Sequence, residues 1–317
     1  MRSPIEKLVI FDTNILPTRY GLDSVVWLMV GRLCERRDIR MCIPDIVVEE
    51  SVNLRGSAHE EASRRLRGAL ADLEKNYQAL TAYVPDRSEV EEWWRRELKQ
   101  FFEILPSNGE DAIEAMTREA RRQRPAREGR GGRDSLIWLV TRRELHSGKR
   151  VSFVSSNTKD FGGSRGREEL HPELAGELIA GSQINYHLSL ESFLSSLASS
   201  EGTKIFRGSD ILDLARDPIF IEIYSKLTFS ERVGPDYGLT DIELDNSTAR
   251  ISYSIDGKGL CLTTSKGWVK VSPGNSGADF DVPIKVRSWV EFYTHNYQVP
   301  ISVEVQSLEI LNDDLEA

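Results

Sequence analysis

The apolar run Leu8-Val9-Ile10-Phe11 ends on an acid, Asp12, and a second run, Val151-Ser152-Phe153-Val154, is followed by another, Asp160. Short, largely apolar runs of this kind suit strands of a buried parallel sheet, which must be joined by crossover helices. Helical patterns do lie between them, and two of these carry further acids. A short strand near 40–43 leads through Pro44, taken as a first helical residue, into a helix bearing Glu50; Asp134 opens a later helix. In an open α/β sheet the strand ends that precede the helices converge on one edge, and ligands bind there. Carboxylates gathered on that edge repel one another unless a hard divalent cation lies among them, and Mg²⁺ and Mn²⁺ favour such oxygen ligands. Asp12, Glu50, Asp134 and Asp160 therefore read as a metal-dependent site for phosphate-ester chemistry.

Their neighbours sharpen this. The segments FDTN (Phe11 to Asn14), IPDIVVEE (Ile43 to Glu50), GRDSLIW (Gly132 to Trp138) and SSNTKDF (Ser155 to Phe161) occur in that order. Together they resemble the PIN-domain nucleases, over residues 1–200 and not beyond. The resemblance implies a PIN-like parallel sheet flanked by helices, with Asp12, Glu50, Asp134 and Asp160 as catalytic residues and metal ligands. Register from Ile43-Pro44 favours Glu50 over Glu49. Ser155, Asn157, Asp160 and Phe161 match the last motif, with Thr158 where one variant of it carries an extra Asp. Thr13, Asn14, Ser155 and Asn157 are expected to orient the acids. The implied cofactor is Mg²⁺ or Mn²⁺, and the implied reaction is hydrolysis of single-stranded RNA by an endoribonuclease of toxin, defence or RNA-decay type. DNA stays open as a substrate.

Seven arginines, Arg118, Arg121, Arg122, Arg124, Arg127, Arg130 and Arg133, lead into Asp134. Pro125, Gly129, Gly131 and Gly132 predict a flexible loop for the later part of this stretch. Guanidinium forks bind phosphate oxygens well, so Arg122, Arg124, Arg127, Arg130 and Arg133 are the expected nucleic-acid contacts. The chain as a whole carries 41 Lys+Arg against 50 Asp+Glu, a net charge of −9. Residues 201–317 hold 11 basic and 19 acidic residues, so the excess acid belongs to the C-terminal part. Affinity for a backbone must then come from local cations.

Within 1–200 the helical stretch 57–130 is longer than a minimal fold needs. Ser57 with Glu60 and Ser88 with Glu91 have capping-box spacing, predicting a helix start at each. Ala58, Ala62, Leu66, Ala69, Leu73, Tyr77 and Leu80 form an apolar stripe, read as core packing, with an arm over the site or a dimer surface left open. Residues 201–317 predict a helix over 208–227 broken at Pro218, then a β-rich domain. Asp256-Gly257 is a hairpin signal, and strands fall near 259–264, 267–272, 283–293 and 300–310. This domain holds no catalytic cluster and suits assembly or binding of a protein partner, an antitoxin among them.

Other chemistries fit poorly. Cys34, Cys42 and Cys261 lack disulfide or zinc spacing, and His59, His146, His171, His187 and His295 are scattered. Asp12 would suit a haloacid-dehalogenase phosphatase, but that chemistry needs a second acid two residues on, where this chain has Asn14. A non-catalytic PIN-like scaffold that binds a partner is the stronger alternative. With no apolar run of bilayer length and no apolar leader, the expected location is the cytoplasm.

Overall fold

The computed structural model describes residues 5–18, 21–74, 83–163, 168–227, 237–249, 251–273 and 278–311. The chain divides into two compact units, Met1–Ser196 and Leu197–Ala317.

In the first unit, β1 (Lys7–Phe11) is followed by a 3-10 turn (Thr13–Ile15), α1 (Val25–Arg36) and β2 (Ile39–Pro44). Next come α2 (Asp45–Glu74), α3 (Arg87–Phe101), β3 (Glu103–Leu105), α4 (Gly109–Arg121) and α5 (Gly132–His146). The unit closes with β4 (Arg150–Val154), α6 (Pro172–Ala175), β5 (Gln183–His187) and α7 (Leu190–Leu197). The five strands lie in the order β3-β2-β1-β4-β5, all parallel. Leu8, Val9, Ile10 and Phe11 are each no more than 1% exposed, as helices on both faces demand. The rings of Trp27 and Phe102 meet Phe11 edge-on at 5.2 and 5.6 Å. Burial of one such side chain contributes about 1.5–3 kcal/mol, so this central strand anchors the unit.

Chain order runs outward from β1 in one direction through β2 and β3, and in the other through β4 and β5. The reversal lies between β1 and β4, which makes the crevice beyond their C-terminal ends the place where such a sheet binds ligands. Asp12 and Ser155 are the residues that step off these two strands.

Several local expectations need correction. Pro44 ends β2 rather than opening the helix, and Asp45 begins α2. No new helix starts at Ser57, because α2 continues unbroken past it; interior Ser and Glu at that spacing mimic a cap. The capping box of α3 is formed by Asp86 with Glu89 rather than by Ser88 with Glu91. The stripe is not core: Ala58, Ala62, Leu66 and Ala69 are exposed, while Tyr77, Leu80 and the side chain of Leu73 lie outside the described residues. The strand β3 is hidden in what the sequence pattern presents as the tail of a helix, since three residues are too few for any period to show.

The second unit comprises β6 (Ser199–Ser200), β7 (Lys204–Phe206), α8 (Gly208–Leu227), β8 (Tyr237–Leu244), β9 (Ser247–Ala249), β10 (Ser252–Ile255), β11 (Lys258–Pro273), β12 (Phe280–Tyr293) and β13 (Asn296–Ile310). Its main sheet runs β13-β12-β11-β10-β6 with β8 also paired to β11, antiparallel throughout. Asp256 and Gly257 turn the β10–β11 hairpin with φ of 53° and 79°, the backbone a two-residue turn of this kind requires. The two strands expected at 259–264 and 267–272 are one, β11. Gly267 lets it continue, because a Cβ there would lie 2.0 Å from the Glu243 carbonyl oxygen on β8. Pro218 does not break α8. Ile211, Ala215, Ile219 and Ile223 from this helix share one core with Val269, Val271, Val282 and Ile284 of the sheet, enough burial to offset a proline's roughly 3 kcal/mol. No described helix is long and apolar enough to cross a membrane.

Candidate active site

Phe11 is the last residue of β1, so Asp12 leaves the sheet with its backbone N–H still donating to the Val154 carbonyl at 3.0 Å. Its side chain is buried and accepts from Thr13 N (2.7 Å), Asn14 Nδ2 (2.6 Å) and Ser155 Oγ (2.5 Å). Burial pushes this carboxyl above its ordinary range; the bonds from Ser155 and Thr13 oppose the rise, and the charge of Glu50 adds to it. Thr13 then turns its hydroxyl outward to donate to Glu50 Oε2 at 2.8 Å. Register along α2 decides between the two glutamates. Glu49 faces Arg95, whose Nη2 donates to it at 3.1 Å, while Glu50 faces the crevice.

Asp134 stands in the first turn of α5, whose N-cap is Gly131 rather than Asp134 itself. Gly131 has φ of +116°, and a Cβ there would press on Asp134 Oδ2 and Ala126 Cα, each at 3.3 Å, so only glycine fits this corner. From the loop after β4, the Asn157 amide donates to Asp134 Oδ1 (3.2 Å) and Asp160 Oδ2 (3.0 Å), joining the two acids through one group. Ser155 Oγ accepts from Asn157 N at 3.1 Å, and Asn14 Oδ1 accepts from Ser156 N at 2.9 Å. Asp12, Glu50, Asp134 and Asp160 are thus brought to one edge, with Thr13, Asn14, Ser155 and Asn157 bonded among them. Burial, then the fields of Asp12, Asp160 and Glu50, push the Asp134 carboxyl up to about 6. That mutual repulsion is what a bound cation would relieve.

The arginine stretch is more structured than its glycines suggest. Arg118 and Arg121 belong to α4, and Arg122 caps it with φ of 54°. Arg118 is buried and binds Glu177 through both nitrogens of its fork, at 2.9 and 2.8 Å. Arg124, expected among the phosphate contacts, is only 7% exposed and donates to the backbone carbonyls of Lys159 (2.6 Å) and Asp160 (3.2 Å). Its role is to hold the Asp160 loop, since the side chain is buried and its Nη1 bonds both of those carbonyls. Arg133 reaches the site itself and pairs with Glu50. Arg121, Arg122, Arg127 and Arg130 are exposed.

Sequence reasoning missed two supports. Tyr186 on β5 donates its hydroxyl to the Ser155 carbonyl at 2.9 Å, and Glu177 ties Arg118 to Trp138 Nε1 at 2.9 Å. Alternation along β5 could have placed Tyr186 facing inward, but nothing local signals Glu177.

Among the described residues no three His, Cys, Asp or Glu side chains are already arranged to grip an ion. The amide of Asn157 lies between Asp134 and Asp160, and the guanidinium of Arg133 sits on Glu50. The donor chemistry is nevertheless all carboxylate oxygen within mutual electrostatic reach, which fits a hard divalent cation and not a soft one.

Residues 9–161 match the family model of the PIN domain. The N-terminal unit is a PIN domain. No curated protein and no solved structure matches the chain. The matched stretch of the PIN domain runs from β1 to the loop after β4 and includes all four acids, and its fold is of the nuclease type. The second unit lies outside the match.

Proposed function

We propose that the PIN domain is a metal-dependent endoribonuclease acting on single-stranded RNA, with Mg²⁺ or Mn²⁺ as cofactor. The observation that carries this reading is the convergence of Asp12, Glu50, Asp134 and Asp160 at the reversal of strand order, where burial and then mutual repulsion raise the Asp134 carboxyl to about 6. These four side chains would hold the cation. When bound, it would supply Lewis-acid stabilisation of the phosphate and a water nucleophile at neutral pH. Thr13 fixes one oxygen of Glu50, and Ser155 with Asn14 fixes Asp12. Asn157 aligns Asp134 and Asp160 from a single amide. Arg133 is placed to exchange its carboxylate partner for a phosphate oxygen when substrate arrives.

The choice of substrate is tested by incubating the full chain and Mn²⁺ with labelled single-stranded RNA, single-stranded DNA and duplex RNA of one sequence. Cleavage of the single-stranded RNA, stopped by EDTA, is the expected result. Cleavage of none of the three, or cleavage that survives EDTA, would remove the proposal.

With Arg124 assigned to structure, the backbone grip falls to the exposed Arg122, Arg127 and Arg130. Replacing these three with Ala should weaken binding about equally for RNAs of different sequence. The slope of log affinity against log salt should flatten by roughly one unit for each arginine replaced. An unchanged slope would return them to the role of solvated surface.

The second unit is assigned to assembly or to a protein partner rather than to chemistry. A chain ending at Ser196 retains the whole five-stranded sheet and all four acids, so it should keep metal-dependent cleavage. A truncated protein that is folded by circular dichroism, binds Mn²⁺ and cuts no RNA that the full chain cuts would refute this division of labour.

A further inference from the structure

The outward half of α2 and the start of α3 enclose a groove of about 670 Å³, within the size range of small-ligand sites. Its floor is small, Ala58 and Ala62 on α2, with Val90 on α3 facing them. The Trp93 ring stands at its wall, 38% exposed in a protein whose neighbouring Trp94 is fully buried and bonded through Nε1 to Ser51. Arg55 closes one end: its guanidinium lies 4.1 Å from the Trp94 ring centre and 5.4 Å from that of Trp93, and it donates to the Pro17 carbonyl. Arg65 borders the other, with its side chain 73% exposed and its Nε 3.8 Å from Glu61 in an ion pair. Glu61 on the rim is already held by Arg64 at 2.8 Å.

The groove lies on the same helix as Glu50, beyond the carboxylate edge. Arg55 follows Glu50 on the same helix by five residues, about 7 Å along its axis and roughly 140° around it, so the two face different sides. Thr18, at the groove's near lip, lies on the segment that leaves Thr13, whose hydroxyl donates to Glu50. An exposed indole over a floor of alanines, with the exposed Arg65 at one end, combines the stacking surface and local positive charge that hold single-stranded nucleic acid. A protein partner needs large apolar anchors and a pocket to bury them; an alanine floor suits a flat ring better.

We propose that this groove is a nucleobase subsite for single-stranded RNA, in which an unpaired base stacks on Trp93, braced by the buried Arg55, while its phosphates lie toward Arg65. The assignment rests on the nuclease reading of the adjoining edge. It names a contact that reads bases without demanding sequence, since every base has a flat face. Duplex RNA, with its bases already stacked and paired, cannot use it.

The test measures binding of a short labelled single-stranded oligoribonucleotide, and of its duplex, to the full chain in EDTA, by anisotropy and tryptophan fluorescence. Trp93→Ala should weaken single-strand binding roughly 5- to 150-fold, the range found when one stacking aromatic is removed. It should leave duplex binding unchanged. Trp93→Phe should keep most of the affinity while abolishing the RNA-dependent quenching. Arg65→Ala, a fully surface change, should flatten the salt slope by roughly one unit, so the outcome does not hang on the folding of Trp93→Ala. Equal single-strand affinity for wild type, Trp93→Ala and Arg65→Ala would overturn the subsite, as would the absence of RNA binding by the wild type. Quenching that follows protein concentration rather than RNA would overturn it too, by showing a second copy in the groove. Cleavage in Mn²⁺ separates the two readings. If Trp93→Ala cuts RNA with the wild-type KM, the subsite fails and the nuclease stands. If RNA binds through Trp93 and is never cut, the subsite stands and the nuclease fails.

Discussion

At pH 8 in EDTA, Asp134→Asn is expected to unfold at a higher temperature than the wild type. Burial and the charges of Asp12, Asp160 and Glu50 raise the Asp134 carboxyl to about 6, so the folded chain binds that proton more tightly than the unfolded chain does. Stability therefore falls as pH rises from about 4, the ordinary carboxyl value, to about 6, and the deficit is complete above that window. Its size is on the order of 1–3 kcal/mol after allowance for partial exposure, or about 2–4 °C per kcal/mol for a unit of this length. Asn keeps the carbonyl oxygen that accepts from Asn157 while discarding the charge. The gain should fade towards pH 4 and disappear below about pH 3, where both states of the wild type carry the proton. Added Mn²⁺ should reverse the ranking, because a ligand bound only by the folded state stabilises it by about 2.7 kcal/mol at a hundredfold excess over Kd. The measurement is thermal unfolding of both proteins across pH, with and without Mn²⁺. If Asp134→Asn is less stable than the wild type at pH 8 in EDTA, the carboxylates do not repel as described.

Arg124→Ala is expected to lower stability by about 2–3 kcal/mol and to suppress cleavage without changing the salt dependence of binding. The side chain gives charge-assisted hydrogen bonds to the carbonyls of Lys159 and Asp160, and each such bond is worth about 1.5–3 kcal/mol, partly offset by release of a buried charge. Without it the loop that places Asp160 against Asn157 loses its anchor. Both bonds leave from Nη1, so Arg124→Lys should restore part of the effect, as far as one ammonium on a differently shaped stem reaches that position. Unfolding temperature, single-turnover cleavage and a salt titration of affinity check these together. A stable Arg124→Ala protein with a flattened salt slope would make Arg124 a phosphate contact after all.

The contrast between Arg124 and its neighbours shows what the sequence could convey. Seven arginines lead toward Asp134 with no local mark to separate them, yet Arg118 and Arg124 are buried and Arg122, Arg127 and Arg130 are exposed. What sorts them is the position of acceptors far along the chain, Glu177 for one and the carbonyls of Lys159 and Asp160 for the other. The acids were legible for the opposite reason. Asp12 follows an apolar run that can only be a buried strand, and Asp134 sits where a helix begins after glycines, so local pattern placed each beside the same sheet edge. Glu50 was separable from Glu49 by helix register alone, with Arg95 taking the other. Boundaries failed where tertiary burial overrode local signals, as when α8 runs through Pro218 on its packed isoleucines. They failed again where α2 runs through Ser57, although the pattern there is that of a cap.

The rate of cleavage of one labelled single-stranded RNA by wild type, Asp12→Asn and Asp134→Asn at saturating Mn²⁺ bears most directly on the four-carboxylate site. Each substitution keeps the shape and most hydrogen bonds of its side chain and removes one charged oxygen ligand. Both variants should remain folded and should cleave slower by roughly 10²-fold or more, the range for removing one preorganised electrostatic partner of the transition state. Folded variants that both cut this RNA at the wild-type rate would contradict a metal-dependent nuclease site at Asp12, Glu50, Asp134 and Asp160.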